Sequence, residues 1–144
     1  MPEKCRWCVG PGECDAWPCS MAKEADKNGF FTPDLTVKEL LKASHDTAKQ
    51  KGWWEKERPF GDQVSNFHGE VSEAWEEYRK YGLDPAKFLY FVDGKPEGIA
   101  AELADVLIRI ADTCAHYGID LTEAIRVKLE YNKTRSYRHG NKLA

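Results

Sequence analysis

Residues 97–118, EGIAAELADVLIRIADTCAHYG, decide the fold. Ile99, Leu103, Val106, Leu107, Ile110 and Cys114 recur with the 3.6-residue period of one helix face. Ala104, Ile108 and Ala111 make most of the opposite side apolar as well. The segment is therefore expected to be the central helix of a domain, from about Glu97 to Tyr117, stopped by Gly118. Cys114 reads as a buried small hydrophobe on it. Charges on such a helix need partners, which makes Glu102, Asp105 and Arg109 conspicuous.

Helices are expected on both sides of this one. Upstream, a helix starts near Asp62 and runs to about Tyr81, with Gly82 as its stop. Its buried face is read as Phe67, Val71, Ala74, Trp75 and Tyr78, with Glu70, Glu73 and Glu77 forming an acidic stripe beside it. Further upstream Thr36-Val-Lys-Glu39 is a capping box, with Leu35 and Leu40 as its hydrophobic staple. Val37, Leu40, Leu41, Ser44 and Ala48 then mark one face of a helix that ends at Gly52. Downstream, Asp120-Leu-Thr-Glu123 opens a last helix running to about Lys133. Between Leu83 and Gly98, Asp84-Pro85 and Asp93-Gly94 interrupt the pattern, and a short helix at Ala86–Phe91 with a turn after it is expected. No strand with period-two alternation and no internal repeat are seen. The fold class is all-α: a bundle of four to five helices over residues 32–144, preceded by a small Cys-rich appendage, residues 1–31.

Composition sets the outer limits. At 144 residues, 42% hydrophobic and 31% charged, the chain suits one soluble domain with a single core. No apolar run approaches the roughly 18 residues of a membrane span. The opening MPEKCRWC lacks the apolar stretch of a signal peptide, so the cytoplasm is expected. The net charge of −3 implies no partner by itself and argues against nucleic acid as the main one. Four of the five cysteines, Cys5, Cys8, Cys14 and Cys19, fall in a Gly/Pro-rich stretch that could not form a core alone. Without an export signal, a metal is favoured over disulfides, and a structural Zn²⁺ held by four thiolates is the simplest proposal. An iron–sulfur cluster also uses four thiolates, and spacing does not separate the two.

The chemistry-bearing pattern is two carboxylate pairs, Glu70-x-x-Glu73 and Glu102-x-x-Asp105. A three-residue spacing puts both members of a pair on one helix face, about 4.5 Å apart along the axis. One pair is what any solvated helix carries; two on neighbouring core helices call for a cation. Hard oxygen ligands suit Mg²⁺, which usually brings phosphate with it. Lys128, Asn132 and Arg135 share a face of the last helix, and residues 126–144, which include Arg138 and Lys142, carry six Lys and Arg against one acid, Glu130. The plain alternative for that end is a solvated basic tail.

These residues resemble a known family. HGEVSEAWEEYR (68–79), then PEGIAAELADVLIRIADTCAHYGIDLTEAIRVKLEYNKTR (96–135), then Tyr137-Arg-His-Gly140 with Lys142, are similar to the MazG-like nucleotide pyrophosphohydrolases. The shared order is ExxE, ExxD, K-x-x-x-N and a basic Arg-containing segment; the likeness covers roughly residues 36–142. It implies an all-α fold assembled as a homodimer or homotetramer. It also implies Mg²⁺-dependent cleavage of a nucleoside triphosphate between its α and β phosphates. Glu70, Glu73, Glu102 and Asp105 would hold one or more Mg²⁺, and Lys128, Asn132, Arg135, Arg138 and Lys142 would steady the phosphates. Either Glu of the first pair, or Glu77 one turn on, would serve as the general base. Relatives acting on pyrimidine nucleotides look similar at His45 and Trp54, with Trp53 close behind, so these three are the base-binding candidates; packing is the plain reading of each. Some relatives have an aromatic residue where Arg109 stands, and Arg109 would instead pair with an acid or touch phosphate. Two other functions stay open: a phosphoribosyl-ATP pyrophosphohydrolase, and a non-enzymatic zinc-containing module binding nucleic acid or protein.

Overall fold

The computed structural model describes residues 35–137. The Cys5, Cys8, Cys14 and Cys19 cluster and the Arg138 and Lys142 candidates lie outside them. The described residues form four α-helices and one small hairpin: α1 (Val37–Gln50), α2 (Phe60–Tyr81), β1 (Tyr90–Val92), β2 (Lys95–Glu97), α3 (Ile99–His116) and α4 (Leu121–Lys133). The all-α class therefore holds, and α3 is the central helix, packed against both α1 and α2. Phe60, at the start of α2, meets Tyr117 at the end of α3, and Glu70 meets Arg109, so α2 and α3 run antiparallel.

The helix stops are local chemistry. Gly52, Gly82 and Gly118 lie just past α1, α2 and α3 with positive φ, where a side chain would be strained. Asp120 caps α4, its carboxylate accepting from Glu123 N–H at 2.9 Å. Helix α2 begins at Phe60, two residues earlier than expected, because Pro59 supplies the entry and Asp62 N–H bonds back to its carbonyl.

Three expectations need correction. The first concerns Leu83–Gly98. The short helix expected at Ala86–Phe91 is a single 3-10 turn, Pro85–Lys87, capped by the Asp84 side chain on Ala86 N–H. The chain then folds into a strand pair, Tyr90 opposite Glu97 and Val92 opposite Lys95. Asp93 and Gly94 both take positive φ, which is the type I′ turn that matches the twist of a hairpin. Strands of three residues are too short for alternation to show in sequence.

The second correction is the face of α2. Its buried residues are Gln63, Glu70, Ala74 and Glu77, whereas Val71, Trp75 and Tyr78 are exposed, Trp75 at 57%. Glu70 and Glu77 of the acidic stripe face inward while Glu73 stays exposed, and of the apolar stripe Ala74 alone is buried. The third is the apolar face of α3. Ala111 and Cys114 are buried, but Leu103, Leu107 and Ile108 are exposed. The buried hydrophobic residues among those described are Ala74, Ala111 and Cys114, a small core for so many apolar side chains. Burial raises the Cys114 thiol pKa, so it stays protonated and inert there, as the sequence reading expects.

Candidate metal and nucleotide site

One acid of α2, Glu70, meets two acids of α3, Glu102 and Asp105. Glu70, Glu102 and Asp105 each offer a carboxylate oxygen, all within 4.8 Å of one another. Glu70 and Glu102 are buried, 6% exposed each, while Asp105 is open to solvent. Burial, and then the charges of Glu73, Asp105 and Glu70, push the Glu102 carboxyl above its ordinary value. Glu73 is thus close enough to be felt, although it is exposed and not one of the three that converge.

The donor set fits Mg²⁺. All ligands are carboxylate oxygens, the chemistry that hard cation prefers. A Mg–O distance of about 2.1 Å allows ligand oxygens up to about 4.2 Å apart across the ion, so small side-chain rotations would close the set. Arg109 already neutralises part of the charge, its Nε forming an ion pair with Glu70 Oε1. Of the two roles open to Arg109 in the sequence, pairing with an acid is present.

Glu77 stands elsewhere. Its carboxylate accepts from Lys80 Nζ at 2.7 Å and from the Tyr90 hydroxyl at 2.9 Å. The Lys80 ammonium chiefly, with Tyr90, holds the Glu77 carboxyl below its ordinary range. This residue ties the hairpin to α2 and is not one of the convergent oxygens. The hairpin is fixed to α3 as well. Ala100 N–H donates to the Phe88 carbonyl, and Gly98, at φ 106°, lets the backbone pass so close that a Cβ would lie 2.6 Å from the Lys87 carbonyl oxygen.

A second cluster forms where α1 and the segment after it meet the end of α3. Asp112 is its centre. His45 Nδ1 lies 2.8 Å from Asp112 Oδ1, and Trp54 Nε1 donates to both carboxylate oxygens, at 2.8 and 3.1 Å. An ionised Asp112 keeps the His45 proton on Nδ1 and leaves Nε2 as an acceptor when the ring is neutral. Trp54 stacks on His116 with ring centroids 3.6 Å apart and planes 9° from parallel. Tyr117 meets both rings edge-on, and Phe60 packs against Tyr117. Trp53 is outside this group; it is exposed, with the Arg58 guanidinium over its ring.

Sequence reasoning misses Asp112 and His116 as site residues, yet a signal exists. Glu102, Asp105, Arg109, Asp112 and His116 fall at i, i+3, i+7, i+10 and i+14. That spacing is one continuous polar stripe on an otherwise apolar helix. The convergent acids and the His45–Trp54 cluster therefore sit at two ends of one face of α3.

Lys128 and Asn132 lie on α4, and Arg135 lies just past its end; all three are exposed. Lys128 and Arg135 lie over the Tyr131 ring, at 5.4 and 5.8 Å from its centre. Among the described residues, neither makes an ion pair with the carboxylates of α2 and α3. Helix α4 touches α1 and exposes Val127, Leu129 and Tyr131. No described helix is long and apolar enough to cross a membrane. No family model, no curated protein and no solved structure matches the chain.

Proposed function

We propose that the chain is a Mg²⁺-dependent nucleoside triphosphate pyrophosphohydrolase of the MazG-like kind. It would act on the cytoplasmic nucleotide pool, cleaving (d)NTP between the α and β phosphates to (d)NMP and pyrophosphate. The observation that carries this reading is the convergence of Glu70, Glu102 and Asp105 from facing helices, two of them buried. Converging anions of which two are buried oppose folding unless a cation joins them, and oxygen ligands select a hard divalent one. When bound, Mg²⁺ would neutralise phosphate charge and acidify a water.

This chain's own groups supply the rest. Glu73 is exposed, one turn from Glu70 and outside the convergent set, which suits it to accept a proton from the attacking water. The His45–Trp54–Asp112 cluster at the other end of the α3 stripe suits a planar base. The exposed apolar residues of α2, α3 and α4 favour a homodimer or homotetramer. In such an assembly, Lys128, Asn132 and Arg135 of one copy would serve the acids of another. The test is pyrophosphate release from a panel of NTPs, dNTPs and phosphoribosyl-ATP with Mg²⁺, comparing wild type with Glu73→Ala and Asp105→Ala. Release from one substrate class by the wild type and its loss in both variants is expected. Equal activity in all three proteins would sink the proposal, and preference for phosphoribosyl-ATP would redirect it.

A further inference from the structure

We infer that Arg109 is an internal counter-ion that holds Glu70 until a divalent cation arrives and then binds the phosphate that comes with the cation. The inference rests on the metal reading and extends it to a residue which that reading does not use. Arg109 stands one turn past Asp105 and two past Glu102 on the same face of α3, and it crosses to α2 through its Nε–Glu70 ion pair. Glu70 is buried, and a buried carboxylate needs a positive partner. Among the described residues Arg109 is the one cation that forms an ion pair with the convergent acids. Lys95 influences Glu102 from further away, but it is itself paired with Glu97 at 2.7 Å.

The two partners differ in a way that suits an exchange. The Glu70 side chain is 9% exposed and fixed on α2, whereas the Arg109 side chain is 40% exposed on a long flexible stem. Their closest approach is through Nε, at the base of the guanidinium, rather than through its terminal fork. A cation among Glu70, Glu102 and Asp105 competes with the guanidinium for the same carboxylate charge. Released, the guanidinium is a planar fork that matches a phosphate, already beside the place where a phosphate on that cation would lie. No charge is left without a partner at either stage: Glu70 exchanges the guanidinium for the cation, and Arg109 exchanges the carboxylate for the phosphate.

The experiment uses the full chain as wild type, Arg109→Met and Arg109→Lys. Mn²⁺ binding is followed by electron paramagnetic resonance, and inorganic pyrophosphate binding by calorimetry in saturating Mg²⁺. Arg109→Met should bind Mn²⁺ roughly threefold to tenfold more tightly, because its competitor is gone. It should bind pyrophosphate roughly tenfold more weakly. Arg109→Lys keeps the charge without the fork and should fall between the two on both measures. Should Arg109→Met fail to fold, with Glu70 left unpaired, the lysine variant still carries the test through its weakened pyrophosphate binding. Mn²⁺ affinity unchanged or weaker in the variants, or pyrophosphate affinity unchanged, overturns the inference. A wild type that takes up no Mn²⁺ overturns the metal reading and the inference together, while equal uptake by all three proteins overturns the role of Arg109 alone.

Discussion

Glutamine at position 102 should make the metal-free protein more stable and remove the stabilisation that Mg²⁺ confers. Glu102 is buried, and its carboxylate makes no ion pair or hydrogen bond among the described residues, although its backbone N–H bonds to the Gly98 carbonyl. Burial first, then the charges of Glu73, Asp105 and Glu70, raise its carboxyl above the ordinary 4.5. A raised acid holds its proton more tightly in the folded chain than in the unfolded one. Its contribution is therefore fully present below the ordinary value and is lost as pH rises through the raised one. Glutamine keeps the shape and stays neutral at every pH. Replacing a buried carboxylate that lacks an ion-pair partner by a neutral group of the same shape is worth about 1–2 kcal/mol. Glu102→Gln should thus gain roughly 1–2 kcal/mol at pH 7.5 in EDTA, a rise in Tm of roughly 3–10 °C. At pH 4 the two proteins should melt together.

Mg²⁺ at a hundred times its Kd would stabilise the wild type by about 2.7 kcal/mol and reverse the order. Thermal unfolding followed by circular dichroism, in EDTA and in Mg²⁺ at both pH values, reads all of this. A Glu102→Gln protein less stable than wild type in EDTA at pH 7.5 would refute the reasoning, since the carboxylate would then be satisfied by the fold itself. An equal Mg²⁺ shift in both proteins would refute it from the other side.

Other contacts set further outcomes. Gly98→Ala should cost at least about 2–4 kcal/mol in urea unfolding, because its Cβ would meet the Lys87 and Phe88 carbonyl oxygens at 2.6 and 2.7 Å from a left-handed backbone. Glu77→Gln should cost about 1–2 kcal/mol while retaining turnover, which separates Glu77 from the general base. Because its folded pKa is depressed, the Glu77 contribution is present above the ordinary 4.5 and fades as pH falls through the folded value, so the variant should lose less stability than wild type on acidification. Asp112→Asn should shift the Trp54 indole proton resonance and weaken nucleotide binding about tenfold, with Mn²⁺ binding unchanged; an unmoved resonance would contradict the Trp54–Asp112 contact. The pair Trp75→Glu and Leu107→Glu should reduce the mass measured by light scattering to that of one chain, whereas a wild type that already runs as a monomer would remove the assembly.

Much of the fold was legible because its signals are local. The period of α3, the Asp120 cap and the glycine stops depend on a few neighbouring residues, and each stands where the sequence puts it. The inward face of α2 was not legible, for a physical reason. Periodicity locates stripes, but the choice of stripe rested on apolarity, and here the acids turn inward. They can do so because Arg109 pairs with Glu70 while Lys80 and Tyr90 satisfy Glu77. Those partners lie 3 to 39 positions away in sequence, and only Lys80 is close enough to suggest itself. The convergence of Glu70 with Glu102 and Asp105 was readable from the paired spacings; the departure of Glu77 from that group was not, since it depends on a hairpin whose strands are three residues each.

The polar stripe of α3 bears on the shape of the ligand. From Glu102 to His116 it spans 14 residues, about 21 Å of helix. Acids stand at one end, a guanidinium comes next, and a carboxylate with stacked aromatic rings closes the other. A compact anion would use only the first part, and a lone aromatic ligand only the last. An elongated ligand with phosphates at one end and a planar ring at the other would use all of it. Such a stripe is costly on a helix that packs on two sides, and the small core of Ala74, Ala111 and Cys114 offers little to offset it. On the proposed function, a cation among the acids and a second copy over Val71, Trp75, Leu103 and Leu107 would supply the missing stabilisation. Metal removal and dissociation should therefore be coupled, so that EDTA lowers the assembly's stability more than either effect alone would require.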